Sequence, residues 1–130
     1  MVGIVIVSHS MKLADGIKDL AGQMADKQLK IIAAGGMEDG GIGTDAIKIS
    51  KALQEANSGE GVVVLADLGS AILSAHTAVE LLDDALSSFI RIADAPIVEG
   101  AISAVIQASI GSSLDEVVNA AEEARSLLKL

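Results

Sequence analysis

The sequence predicts an α/β fold, a three-layer sandwich with a mostly parallel central sheet and helices on both faces. Two runs carry most of that expectation. Gly3–Val7 and Gly61–Ala66 are uncharged and rich in β-branched residues, and short runs of this kind read as strands buried on both faces. Each is followed by a polar turn and then by apolar residues at helical spacing, so strands alternate with helices. Composition agrees: hydrophobic residues make up 51% of the chain and aromatics 1%. Ala, Val, Ile and Leu must therefore build the core, which suits helices laid on a sheet. The 130 residues fit one domain, 1–130, around a single core.

The first strand spans Val2–Val7 and stops at Ser8-His9-Ser10. Leu13, Ile17, Leu20, Ala21 and Met24 then mark the apolar side of a helix over Met11–Ala25. Leu29–Ala34 reads as a second strand. Gly35–Gly43 holds five glycines in nine residues, which fits tight turns, close approach to a ligand, or a mobile surface loop. Thr44 is the expected N-cap of a helix over Asp45–Asn57, with Ile49, Leu53 and Ala56 on one face. The third strand, Gly61–Ala66, runs into Asp67-Leu68-Gly69-Ser70. Ile72, Ala75, Val79 and Leu82 follow at helical spacing.

Phe89–Ala93 is a fourth, shorter strand. It closes at Ala95-Pro96, because the residue before proline avoids the helical region. A helix over Val98–Ala108 stops at Gly111-Ser112. Ser113 and Glu116 have capping-box spacing and open a last helix through Val117, Ala121, Ala124 and Leu128. Right-handed crossovers between parallel strands place these helices on both faces.

Net charge is −9, from 9 basic and 18 acidic residues. This argues against nucleic acid as a partner and suits a partner with a basic face. With one Phe and no Tyr or Trp there is no platform for stacking bases. The absence of cysteine excludes disulfides, thiolate catalysis and zinc–thiolate sites. Two histidines leave little for a metal site, so neither metal nor cofactor is expected. The N-terminus lacks the features of a signal peptide. No apolar run approaches the ~18 residues of a membrane span, and the expected location is the cytoplasm, away from membranes.

The chemistry concentrates where the two buried runs end. His9 sits on a strand-to-helix turn, at the carboxyl end of the first strand. Ligands bind at that edge in open α/β sheets, and the N–H groups of the next helix favour an anion there. A lone histidine in a turn would carry no such meaning. Asp67 occupies the matching place after the third strand. If the two strands are neighbours, the carboxylate meets the imidazole, accepts its Nδ1 proton and leaves Nε2 as a neutral nucleophile. Alone, Asp67 reads equally well as a cap for the following helix. Ser10, Gly43-Thr44 and Gly69-Ser70 open helices around the same edge, where their N–H groups and hydroxyls could hold phosphoryl oxygens. His76 is four residues before Glu80 and reads as half of a solvated helical pair. Lys12, beside the His9 turn, could steer an anion or simply be solvated.

The opening VIVSHS, then IGTDA, ADLGSA and APIVEG, occur in that order along nearly the whole chain. Together they resemble the small phosphocarrier subunit of phosphoenolpyruvate-dependent dihydroxyacetone kinase, within the mannose-type IIA superfamily of the bacterial sugar phosphotransferase system. The resemblance implies the mannose-type IIA fold, a homodimer and a transiently phosphorylated histidine, matched by His9, with Asp67 as the carboxylate that orients it. It also implies transfer to ADP held on a dihydroxyacetone kinase subunit, beside the substrate-binding subunit. Some relatives carry fused phosphocarrier domains. With the chain ending at Leu130, the expected donor is a separate protein, HPr.

A sugar-permease IIA component shares the chemistry but often has Gly-Gly-Ser-Pro where this chain reads Leu68-Gly69-Ser70-Ala71. A receiver-like signalling module would need an acidic pair after the first strand to hold Mg²⁺, where Ser8-His9-Ser10 stands, and a purely structural dimerisation domain would leave the placement of His9 and Asp67 unexplained. A hydrolase would need Ser70 in a Gly-x-Ser-x-Gly turn, and the sequence there is LGSAI.

Overall fold

A computed structural model describes residues 1–130. Four strands form one sheet: β1 (Gly3–Ser8), β2 (Ile31–Gly35), β3 (Val62–Ala66) and β4 (Ile90–Ile92). Their order is β2-β1-β3-β4 and every pairing is parallel. The two uncharged runs are thus the two central strands, and both are buried along their whole length. Helices α1 (Met11–Gly22), α2 (Ala46–Ala56), α3 (Gly69–Glu80), α5 (Ile97–Ser109) and α6 (Leu114–Glu123) connect and follow them, with a single turn α4 (Asp84–Ser87) between α3 and β4. The turn α4 has no counterpart in the sequence reading. Asp83 caps it by accepting from the Leu86 N–H.

Alternation along β1 separates two half-cores. Ile4 and Ile6 face Ala14, Ile17 and Ala21 of α1, with α5 and α6 packed beside it on the same face of the sheet. Val5 and Val7 face Ile49 and Leu53 of α2 and Ala71, Ala75 and Ala78 of α3. Helices therefore cover both faces, giving the expected three layers. The buried stripe of α1 is Ala14, Ile17 and Ala21, whereas Leu13, Leu20 and Met24 stay exposed. A core without aromatic rings draws helices close to the sheet, and alanine fits that narrow gap.

Other boundaries shift for local reasons. The N-cap of α2 is Asp45, which accepts from the Ile47 and Lys48 N–H groups, rather than Thr44. The capping box of Ser113 and Glu116 forms as expected. The last helix gives way to a 3₁₀ turn over Ala124–Ser126, and Leu128 is exposed. Gly3 has a packing reason to be glycine. A Cβ there would stand 2.1 Å from the Ala56 carbonyl oxygen. No helix is long and apolar enough to cross a membrane.

Candidate functional site

The chain reverses its direction of growth between β1 and β3, since β2 is added on one side of β1 and β3 on the other. Crevices at such points, beyond the carboxyl ends of the strands, are where open α/β sheets take ligands. His9 follows β1 and Asp67 follows β3 there. Their side chains meet, with His9 Nδ1 2.8 Å from Asp67 Oδ1.

Asp67 is held by four donors. Ser8 Oγ donates to Oδ2 at 2.8 Å and the His9 N–H at 3.0 Å. Leu68 N–H donates to Oδ1 at 2.7 Å, beside the His9 ring. The side chain is 12% exposed. Burial pushes its pKa up, but hydrogen bonds from the His9 N–H, the His9 ring, Ser8 and Leu68 outweigh that and hold the carboxyl below its ordinary value. An ionised carboxylate only accepts, so Nδ1 carries the proton and Nε2 presents a lone pair. Ser70 Oγ lies 2.5 Å from Nε2 and is placed to donate to it.

Asp67 is therefore no helix cap. The N-cap of α3 is Leu68, which makes no side-chain capping bond. The first N–H groups of α3, at Gly69 and Ser70, carry no side-chain cap beside His9. Ser10 caps α1 by accepting from the Leu13 N–H at 3.2 Å, and its own N–H donates to Ser8 Oγ. The Gly43 N–H donates to the His9 carbonyl at 2.8 Å, which fastens the glycine loop to the histidine turn. Thr44 Oγ1 bonds Ser74 Oγ. Of the seven residues singled out in the sequence, His9, Asp67, Gly43 and Ser70 are linked by direct hydrogen bonds. Ser10 and Gly69 flank that group, and the hydroxyl of Thr44 points to α3.

The EIIA-man family, the PTS system fructose IIA component, matches residues 3–118. The chain belongs to the EIIA-man family. Among relatives of this EIIA-man chain, the PEP-dependent dihydroxyacetone kinase phosphoryl donor subunit DhaM of Providencia stuartii is 47% identical over 127 residues. That alignment takes 95% of this chain and 27% of the relative, so the chain spans about a quarter of that protein's length. The phosphoryl donor subunit DhaM of dihydroxyacetone kinase 2 from Listeria innocua is 40% identical over 118 residues, 91% of this chain and 94% of that one. The resemblance carried by VIVSHS, IGTDA, ADLGSA and APIVEG is thus borne out. The phosphotransferase system component EIIA of Streptococcus agalactiae shares the EIIA-man chain's fold, at a TM-score of 0.70 and 19% identity, over 99% of this chain and 97% of that one.

Three polar residues at the edge escaped the sequence reading. Ser8 is fully buried and reaches Asp67; a serine closing an otherwise apolar buried strand was the available signal. Lys48 Nζ donates to the Gly35 carbonyl at 2.7 Å and steadies the start of the glycine loop. Ser74 lies one turn after Ser70 on α3, and nothing in the sequence marks it. His76 is exposed on α3 and makes no ion pair with Glu80, and Lys12 is exposed with no carboxylate partner. No group of three or more His, Asp or Glu side chains is placed to hold a metal ion.

Proposed function

We propose that the chain is a phosphoryl carrier. His9 accepts the phosphoryl group from the phosphohistidine of HPr and donates it to ADP bound on a dihydroxyacetone kinase subunit, which works beside a substrate-binding subunit. One observation carries this reading: Asp67 occupies Nδ1 of His9 at 2.8 Å, which leaves Nε2 as the nucleophile on an open edge. The Nε2 lone pair forms the new N–P bond while the N–P bond of HPr breaks, and the donor histidine leaves with the bonding pair. Asp67 stabilises the positive charge that develops on the ring. Transfer passes through a loose transition state, so positioning and charge-matched donors carry most of the catalysis.

Ser70 must release Nε2 before the phosphoryl group arrives. Its hydroxyl is then free to donate to a phosphoryl oxygen, together with the Gly69 and Ser70 N–H groups at the start of α3. Ser10 adds a hydroxyl on the α1 side, and Gly43-Thr44 closes the far wall. In the second transfer, the N–P bond of His9 breaks as an oxygen of ADP attacks, giving ATP and free His9.

Large apolar side chains frame this edge. Met11, Met37, Ile42, Ile47, Leu68 and Leu73 are all exposed, which suits docking by successive protein partners. The chain is further read as a cytoplasmic homodimer. Its mean hydropathy is +0.54, and β4 is an edge strand with Phe89 exposed beside it. A two-fold contact there or at α5 buries that surface.

The test is incubation with labelled phosphoenolpyruvate, the first phosphotransferase enzyme and HPr, which should give an acid-labile, base-stable adduct on His9. Labelled protein is then offered free ADP, the ADP-loaded kinase subunit and a mannose-type IIB domain. Transfer to the kinase subunit alone is expected. Transfer to the IIB domain alone would make the chain a sugar-transport component.

A further inference from the structure

Two different parts of the chain hold His9, and a pair of hydroxyls ties those parts together. The Gly43 N–H holds the His9 carbonyl at 2.8 Å. Ser70 of α3 meets the His9 ring at Nε2. The next residue after Gly43 is Thr44, and the residue one helical turn after Ser70 is Ser74, on the same face of α3. Thr44 Oγ1 and Ser74 Oγ lie 2.5 Å apart, in a half-buried position. The bonds close a ring: His9 carbonyl, Gly43, Thr44, Ser74, one turn of α3, Ser70 and the His9 ring.

We propose that the Thr44–Ser74 pair is a positioning clasp, which fixes the glycine loop against α3 and thereby sets where His9 Nε2 stands relative to the start of α3. This deepens the carrier reading and rests on it for its kinetic consequence. Three observations favour a positioning role over general stabilisation. First, α3 is anchored to the core without the clasp, through Ala71, Ala75 and Ala78. Second, the loop is pinned where it meets His9, because the Gly43 N–H donates to the His9 carbonyl at 2.8 Å and φ +142° at Gly43 is a conformation that side-chain-bearing residues rarely adopt. Third, Ser70 has to leave Nε2 during transfer, and this breaks the ring's bond to the imidazole. Ser74 takes no part in that exchange and keeps the start of α3 in place while the Ser70 hydroxyl turns.

The test uses Thr44→Val, which removes the hydroxyl at nearly constant shape, Ser74→Ala, the double variant and Thr44→Ser. Alanine is the better helix former, so Ser74→Ala keeps α3. Two readouts are taken. One is the ¹⁵N spectrum of the His9 ring in unphosphorylated protein, which reports the tautomer and the bond to Nε2. The other is single-turnover uptake from phospho-HPr over a range of donor concentrations. Sub-ångström to ångström displacements of reacting groups cost on the order of 10- to 100-fold in rate. Each single variant should therefore show a moved Nε2 signal and about tenfold lower maximum rate, with half-saturation unchanged. The double variant should match the singles, and Thr44→Ser should restore both readouts. Ser74→Ala with wild-type ring signals and a rate within about twofold of wild type would overturn the clasp, whatever its melting temperature does. If wild-type protein takes no phosphoryl group from HPr, the carrier reading fails while the ring signals still decide the clasp.

Discussion

Replacing Asp67 by Asn tests the central contact most severely, because size is kept and only acceptor capacity changes. The carboxylate accepts four bonds, from Ser8 Oγ and His9 N–H on Oδ2 and from the His9 ring and Leu68 N–H on Oδ1. An amide has one accepting oxygen and one donating NH₂. If the NH₂ takes the Oδ2 place, it confronts the His9 N–H, although Ser8 can rotate to accept from it. If the NH₂ takes the Oδ1 place, it confronts the Leu68 N–H and donates to the His9 ring. Nδ1 then becomes the acceptor, the proton moves to Nε2, and the nucleophilic lone pair is lost.

In the first case the part-buried His9 N–H loses its partner, at a cost of about 1–3 kcal/mol, whereas in the second the Leu68 N–H is exposed and can turn to water. The charge that steadies the developing imidazolium also disappears. The same swap beside a catalytic imidazole elsewhere lowers turnover about 10⁴-fold through the wrong tautomer. Here we expect a fall of about 10³- to 10⁴-fold in rapid-quench uptake from phospho-HPr, or roughly 4–5.5 kcal/mol of barrier. Circular dichroism should show the fold retained. A rate within about threefold of wild type would refute the tautomer argument and reduce Asp67 to a structural residue.

The same carboxylate predicts a pH dependence. Its folded pKa is depressed, so its stabilisation is present above the ordinary carboxylate value near 4 and is lost as pH falls through the folded value. Denaturant unfolding should therefore show the gap between wild type and Asp67→Asn narrowing as pH falls from about 5 through the carboxylate range; a constant gap would contradict it. His9→Ala should abolish labelling by phospho-HPr and His76→Ala should leave it intact, as mass spectrometry of the intact protein can show. Gly3→Ala should destabilise by about 1–3 kcal/mol or more, because its Cβ meets the Ala56 carbonyl. Gly16→Ala, inside α1 with nothing within 4 Å, should stabilise by about 0.5–1 kcal/mol; thermal melts check both. Light scattering at micromolar concentration should give a dimer, and a monomer would leave the β4 edge without its proposed cover.

What the sequence makes legible follows from which physical signal is local. Burial on both faces of a parallel sheet leaves an unbroken apolar run, so β1 and β3 could be read directly and are the two central strands. The capping box at Ser113 is local as well, since both its bonds lie within four residues. The buried faces of helices proved less legible. The periodicity marks Leu13, Ile17, Leu20, Ala21 and Met24 as one side of the first helix; packing buries Ile17 and Ala21 of these, adds Ala14, and leaves Leu13, Leu20 and Met24 exposed. In a core with almost no aromatic volume, the sheet-facing position goes to the residue that permits closest approach. Alanine carries too little hydropathic contrast to reveal this.

The choice between Thr44 and Asp45 as N-cap has a tertiary cause. Both residues can cap a helix and they are adjacent in sequence. Ser74, thirty residues further on, bonds the Thr44 hydroxyl, while Asp45 accepts from the Ile47 and Lys48 N–H groups. Asp67 follows the same logic. A carboxylate one residue before a helix N-cap satisfies the local rules for a capping residue, and no inspection of ADLGSA alone could remove that reading. What removes it is strand order. Because β1 lies beside β3, the Ser8 hydroxyl, the His9 N–H and the His9 ring all arrive at one carboxylate, and only the Leu68 N–H comes from its own neighbourhood. Three of four bonds to Asp67 therefore depend on a pairing between residues nearly sixty positions apart. The site is legible in the sequence only to the extent that this pairing is.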